Sequence, residues 1–188
     1  MTLEEVFAEL NAHMVKGLMV HNQMVCYYEF LNLPGYAKCH EYHYLHENKN
    51  FLKLIHHYSK IHNKLIKENR VDDPELIPKS WYQYEKSDVD ISTKKNAVKS
   101  GLEKWLKWEK DTLDLYRKMC IELNELNEVS DACFVEELIK DTEEEISSIN
   151  SYMVNQKMMD FDMHYILQDQ EMKECKYKKK IHKHCCCC

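Results

Sequence analysis

The chain has 188 residues, 44% of them hydrophobic and 31% charged, with a formal net charge of −6; this is the balance of one well-buried soluble domain or at most two small ones. Three glycines and three prolines are too few for the many turns of a strand-rich fold, and twelve tyrosines with three tryptophans argue against wholesale disorder. From Glu171 onward there are six lysines and two glutamates, which leaves 20 basic and 30 acidic residues in the body: no basic face for nucleic acid, and a modest acidic surface that attracts cations or keeps the protein soluble.

The N-terminus, MTLEEVFAELNAH, lacks the basic region and unbroken apolar run of a signal peptide. No segment approaches the roughly 20 apolar residues of a membrane span. A cytoplasmic protein with no membrane contact is expected, and the scattered Cys26, Cys39, Cys120, Cys133 and Cys175 then read as buried free thiols.

Four helical patterns follow in chain order. The first spans about Leu3 to Leu31, with Val6, Leu10, Met14, Leu18, His21, Val25 and Tyr28 at steps of three and four. Asn32-Leu33-Pro34-Gly35 stops it. The second spans about Tyr36 to Asn69, with Tyr36, His40, His43, Glu47, Leu54, Tyr58, Ile61 and Leu65 on one stripe. A linker from Val71 to Thr93 carries two prolines and the aromatics Trp81, Tyr82 and Tyr84. It is too long for a tight hairpin and long enough to cross a bundle end to end.

The third helix spans about Thr93 to Asn127, with Val98, Leu102, Trp105, Glu109, Leu113, Tyr116, Cys120 and Leu123 in line. Ser130 and Asp131 are N-cap candidates for the fourth. That helix spans about Asp131 to Gln170, with Phe134, Leu138, Asp141 or Thr142, Glu145, Ile149, Tyr152, Gln156, Met159, Met163 and Ile166 inward. Lengths of roughly 28 to 40 residues imply rods of about 42–60 Å. Two short-turn hairpins joined by a long crossover between helices 2 and 3 describe an all-α, antiparallel four-helix bundle over residues 1–170. Residues 171–188 form a separate basic, Cys-rich tail, expected to be disordered.

Bundle stripes should be apolar. Here each is broken by a ligand-type residue: His21 on the first, His43 and Glu47 on the second, Glu109 on the third, Asp141 and Glu145 on the fourth. An unpaired carboxylate on such a line is costly to bury. Carboxylates and imidazoles facing one another around two hard cations accommodate it, and interhelical salt bridges or a solvated acidic face accommodate it too. Glu41 and His46 turn outward on helical spacing, and His56, His57 and His62 read as surface residues. His13 and His21 stand about 12 Å apart along a helix, so only one belongs to a given site.

On these residues the chain resembles the ferritin-like superfamily across residues 3–168. YYEFLNLPGY (27–36) is similar to the hairpin between the first two ferritin helices, and LKWEKDTLDLYRKM (106–119) to the third, where Glu109 falls on the metal glutamate. FVEELIKDTEEEI (134–146) resembles the fourth helix of bacterial ferritins; Glu145 falls on an acidic site position there, and Asp141 and Thr142 bracket a glutamine-type one. LNAHMVKGLMVH, HEYHYLHE and the aspartate-rich crossover are similar to small ferritin-like proteins encoded by phages of Gram-positive bacteria.

The resemblance implies a non-haem di-iron or di-manganese centre and ferrous iron oxidation. Its metal ligands would be His21, His43, Glu47, Glu109, Asp141 and Glu145. The pattern departs at two places. The histidine of the Glu-x-x-His motif that starts at Glu47 is Asn50, and the first-helix glutamate is Met14. The ligands have then shifted toward the hairpin, onto His21, His40 and His43, or the bundle is a non-catalytic interaction or structural protein. A homodimer is expected rather than a cage. The tail KYKKKIHKHCCCC, with four adjacent cysteines, does not match the ligand spacing of structural zinc sites.

Overall fold

The computed structural model describes residues 1–67, 69, 71, 72, 74, 85 and 89–167. Trp81, Tyr82 and Tyr84, together with Cys175 and the rest of the tail, lie outside the described residues. Four long helices build the fold: α1 (Leu3–Phe30), α2 (Pro34–His62), α3 (Ile91–Glu125) and α4 (Val129–Met158).

Their ends follow local chemistry. Thr2 opens α1 with a capping box, its side chain accepting from the Glu5 N–H while the Glu5 carboxylate accepts from the Thr2 N–H. Asn32 then takes a left-handed conformation (φ 55°), and the Leu33 N–H returns to the Tyr28 carbonyl at 2.9 Å, the closure that ends many helices. Pro34 starts α2 at a position where no N–H is needed. Asp90 caps α3 through the Thr93 N–H at 2.6 Å. Asn127 (φ 61°) ends the second hairpin like the first, with the Glu128 N–H on the Leu123 carbonyl at 2.9 Å.

Three expected boundaries move. α2 stops at His62, where Asn63 turns left-handed (φ 52°), so Leu65 falls outside it and is 92% exposed. α4 stops at Met158 because Asp160 and Phe161 are both left-handed. Beyond this break Asp162 caps a short helical turn over 163–167, and Phe161 and Ile166 fold back onto the core. Asp131 is not the cap of α4: the capping position is Glu128, and Asp131 lies inside the first turn.

Short turns make α1–α2 and α3–α4 antiparallel hairpins. The amino group of Met1 meets Glu122 near the end of α3, so α1 and α3 are also antiparallel. α2 and α3 therefore run parallel, so the end of α2 and the start of α3 lie at opposite ends of the bundle.

Two apolar clusters fill the interior. One gathers Val6, Phe7, Leu10, Met14, Leu54, Tyr58, Tyr116, Met119, Leu123, Val135 and Leu138 around the start of α1. The other gathers Met24, Tyr28, Leu31, Tyr36, Val98, Leu102, Trp105, Ile149 and Met153 near the α1–α2 turn. The stripes hold with local shifts: Met119 is buried where Cys120 was expected, and Ile61 is exposed. Cys26 and Cys133 are exposed, so only Cys39 of the described thiols is fully buried.

Candidate metal centre

Between the two apolar clusters lies a polar layer to which every helix contributes. Its fully buried members include His21, His40, His43, Glu109 and Thr142. Glu47 and Glu145 complete it. The Glu47 carboxylate reaches across to α1, its Oε2 lying 3.7 Å from where a Cβ on Gly17 would be.

Three imidazoles pack together: His21 stacks on His43 with centroids 5.3 Å apart, and His40 stands 5.3 Å from His21. Trp105 closes this group from α3, 4.6–4.7 Å from His43 and His40. Its indole N–H donates to Glu109 Oε1 at 3.0 Å. His21 Nδ1 and His40 Nδ1 are hydrogen-bonded at 3.0 Å, one ring donating to the other. His21 Nε2 is fully buried and makes no hydrogen bond among the described residues; Glu109 Oε1 lies 3.9 Å away. His43 Nδ1 faces Glu145 Oε1 at 3.3 Å.

The electrostatics follow from crowding. Burial lifts the Glu109 carboxyl well above the usual carboxylate range, and the charges of Glu145 and Glu47 push it the same way. Burial, then Glu145, lifts Glu47 to about 7. Burial alone would depress His43, but the Glu145 charge and a hydrogen bond with Cys39 outweigh it and raise the imidazole well above its ordinary value. Glu145 answers in kind: burial favours its neutral form, yet His43 and then His46 hold it below the usual range. Burial, with His43 and His46 nearby, keeps His21 neutral. The layer thus pairs His43 with Glu145 and pushes the Glu109 and Glu47 carboxyls toward their neutral forms.

Of the six expected ligands, His21, His43, Glu47, Glu109 and Glu145 gather in this layer. Asp141 does not point into it. Thr142 takes the inward position and donates to the Leu138 carbonyl at 2.9 Å, while Asp141 sits at the rim, 43% exposed and 3.5 Å from His46 Nε2. His46 therefore does not turn away as helical spacing suggests. It bridges toward Glu145 at 4.0 Å and stands at the open edge between α2 and α4. Of the two α1 histidines, His21 belongs to the layer. His13 lies on the opposite side, stacked on Trp108 with rings 5° from parallel and Nε2 2.8 Å from Thr112 Oγ1. Burial lowers it to about 4. Asn50, at the motif's missing histidine, is buried, with its amide 3.3 Å from His46 and its carbonyl accepting from Lys53.

The donor set is three carboxylates and two or three imidazoles, which suits iron or manganese. His21 Nε2 is the sharpest indication of fit. A neutral imidazole carries one proton; with that proton on Nδ1 toward His40, Nε2 presents a bare lone pair beside Glu109. As it stands, no group of three or more His, Cys, Asp or Glu side chains among the described residues is arranged to hold a metal ion.

No protein-family model matches the chain, and no curated protein sequence does. Solved structures do match. An engineered closed form of Archaeoglobus fulgidus ferritin superposes with a TM-score of 0.74 at 13% identity, covering 90% of this chain and 92% of that one. Apo-ferritin from Pseudo-nitzschia multiseries superposes at 0.72 with 11% identity, covering 90% and 97%. An iron-soaked PmFTN variant gives 0.73, 11%, 90% and 97%. Likeness over 90% of the chain at such low identity is likeness of fold: the chain has the fold of a ferritin-like four-helix bundle, with a long crossover between α2 and α3.

Proposed function

We propose that the polar layer binds a pair of hard divalent cations, iron or manganese, and that the protein takes up ferrous iron and passes its electrons to oxygen or peroxide, which is reduced. The observation that carries this reading is His21 Nε2, fully buried and without a hydrogen-bond partner, 3.9 Å from Glu109. Burying such a nitrogen costs about 1–3 kcal/mol, which a bound cation would offset. Glu109 and Glu47 would be anionic ligands, His21 a terminal one, and Glu145 with His43 the second wall. When bound, iron supplies the one-electron chemistry. The chain's own part is to give up the Glu109 and Glu47 protons as metal enters, to orient His21 through His40, and to hold Glu109 with the Trp105 indole. His46 and Asp141 at the rim would receive the incoming cation.

The chain purified from iron-supplemented medium should carry about two irons, lost on Glu109→Ala and on Glu47→Ala; metal content by mass spectrometry reads this directly. A metal-free protein whose stability is unchanged by Glu109→Ala would sink the reading. The exposed Tyr44, Leu45 and Leu52 on the outer side of α2 support a homodimer as the working unit, and sedimentation as a monomer would remove that part.

One observation favours a second reading, a bundle kept for interaction rather than chemistry. Lys53 donates to Asn50 at 3.3 Å, placing a cation where the family motif puts a histidine ligand. Asn50→His would discriminate: a working centre gains metal affinity from it, and a vestigial one does not.

A further inference from the structure

Away from the central layer, a second group of ligand-type side chains closes the other end of the bundle. Asp131, in the first turn of α4, is fully buried. Among the described residues, neither carboxylate oxygen is paired with Lys or Arg. Oδ1 lies 2.6 Å from His57 Nε2 and Oδ2 lies 2.9 Å from His62 Nε2. The two histidines stand five residues apart in the last turns of α2, with side chains only 18% and 12% exposed.

Their rings are set by packing. Phe134 stacks on His57 at 4.6 Å, and Tyr58 and Phe7 hold His62 at 4.9 and 5.9 Å. An anionic carboxylate only accepts hydrogen bonds, so both imidazoles present N–H from Nε2. The same nitrogen of each ring thus aims at one buried anion, and the rings cannot easily turn away. His57 lies fourteen residues beyond His43 on α2, about 21 Å along the helix, so the two clusters are separate.

We propose that His57, His62 and Asp131 form a second, mononuclear metal site for a zinc-class divalent ion. Two neutral imidazoles and one carboxylate are a common donor set for zinc, with water completing the coordination. In the metal-free form the ring nitrogens rest directly on the carboxylate, which closes the site on itself. An incoming ion takes the place of the two Nε2 protons, which move to Nδ1 of the same ring or to solvent. The bound ion staples the end of α2 to the start of α4, and so fastens one hairpin to the other.

The test uses the full chain, stripped of metal with a chelator, kept reduced and titrated with zinc. Wild type is compared with the double variant His57→Gln, His62→Gln. The glutamine amides still donate hydrogen bonds to Asp131, so the clamp persists while the ligands are lost. The variant should bind one zinc fewer per chain than wild type and lose the zinc-induced rise in Tm. In wild type the ring ¹⁵N resonances of His57 and His62 should shift on zinc addition. The central layer and the tail thiols are the same in both chains, so the difference reports this site alone. Asp131→Asn is an independent arm with the same expected loss of one zinc. Equal zinc uptake by wild type and the double variant, or unmoved His57 and His62 resonances at saturating zinc, overturns the proposal and leaves a hydrogen-bonded clamp.

Discussion

The central layer and the His57–Asp131–His62 clamp are built from the same two chemistries, imidazole and carboxylate, yet they stand in opposite energetic positions. In the clamp one anion meets two donors, and both its oxygens are satisfied. In the layer three carboxyls share a small volume: burial and mutual repulsion drive Glu109 and Glu47 toward neutrality, and His21 Nε2 goes unpaired. One arrangement stabilises the metal-free fold. The other is a cost that the fold carries.

The largest expected effect breaks the clamp. Asp131→Leu should cost about 1–3 kcal/mol for each of the two partly buried imidazoles that it strips of their shared partner, read in denaturant unfolding. The layer should respond to pH. The Glu47 carboxyl is raised to about 7 in the folded state from 4.5, so the native chain binds more protons than the unfolded one between those values. Stability of the metal-free protein should therefore fall as pH rises from about 5 to 7, by up to about 3 kcal/mol. The raised His43 acts in the same sense, its contribution being lost as pH climbs through its folded value. Glu145, held below its usual range, opposes them only in more acidic solution. A Tm that rises over that window would contradict the picture of crowded, protonated carboxyls.

The same contrast predicts that Glu109→Leu, unlike Asp131→Leu, stabilises the metal-free chain, by about 1–4 kcal/mol, while abolishing the metal uptake proposed above. Smaller effects come from the glycines that let side chains into the interior. A Cβ on Gly101 would stand 2.1 Å from the buried Tyr28 hydroxyl, so Gly101→Ala should cost about 1–3 kcal/mol. Tyr28→Phe should relieve most of it, since that hydroxyl makes no hydrogen bond; a double-mutant cycle reads the coupling. At Gly17 the nearest contacts, Trp108 at 3.5 Å and Glu47 at 3.7 Å, are ordinary. Gly17→Ala should be neutral or stabilise by up to about 1 kcal/mol through helix propensity alone.

The architecture could be read from the sequence where periodicity runs long and unbroken. The α3 stripe is found nearly as read, with Glu109 inside it, because a helix of this length averages out local drift. Reading failed where a single residue's backbone decided the outcome. Asn63, Asp160 and Phe161 end helices by adopting left-handed conformations, and nothing in the hydrophobic period announces that. The period left the α4 position open between Asp141 and Thr142, since adjacent positions on a helix differ by about 100°, and packing turns Thr142 inward. The clamp was invisible for another reason. His57 and His62 are five apart at a helix end, and Asp131 is distant in the chain. Only the antiparallel pairing of α2 with α4 brings them together.

The short turns at Asn32 and Asn127 also bear on how the molecule assembles. Each hairpin closes over neighbouring residues, so both can form rapidly and independently. Their union is the slow, non-local event, and it is this union that forces Glu47 against Glu109 and Glu145. The barrier to mating the hairpins is then partly electrostatic. A divalent cation, or a drop in pH, should speed refolding while leaving hairpin formation untouched, a separation that stopped-flow kinetics would resolve.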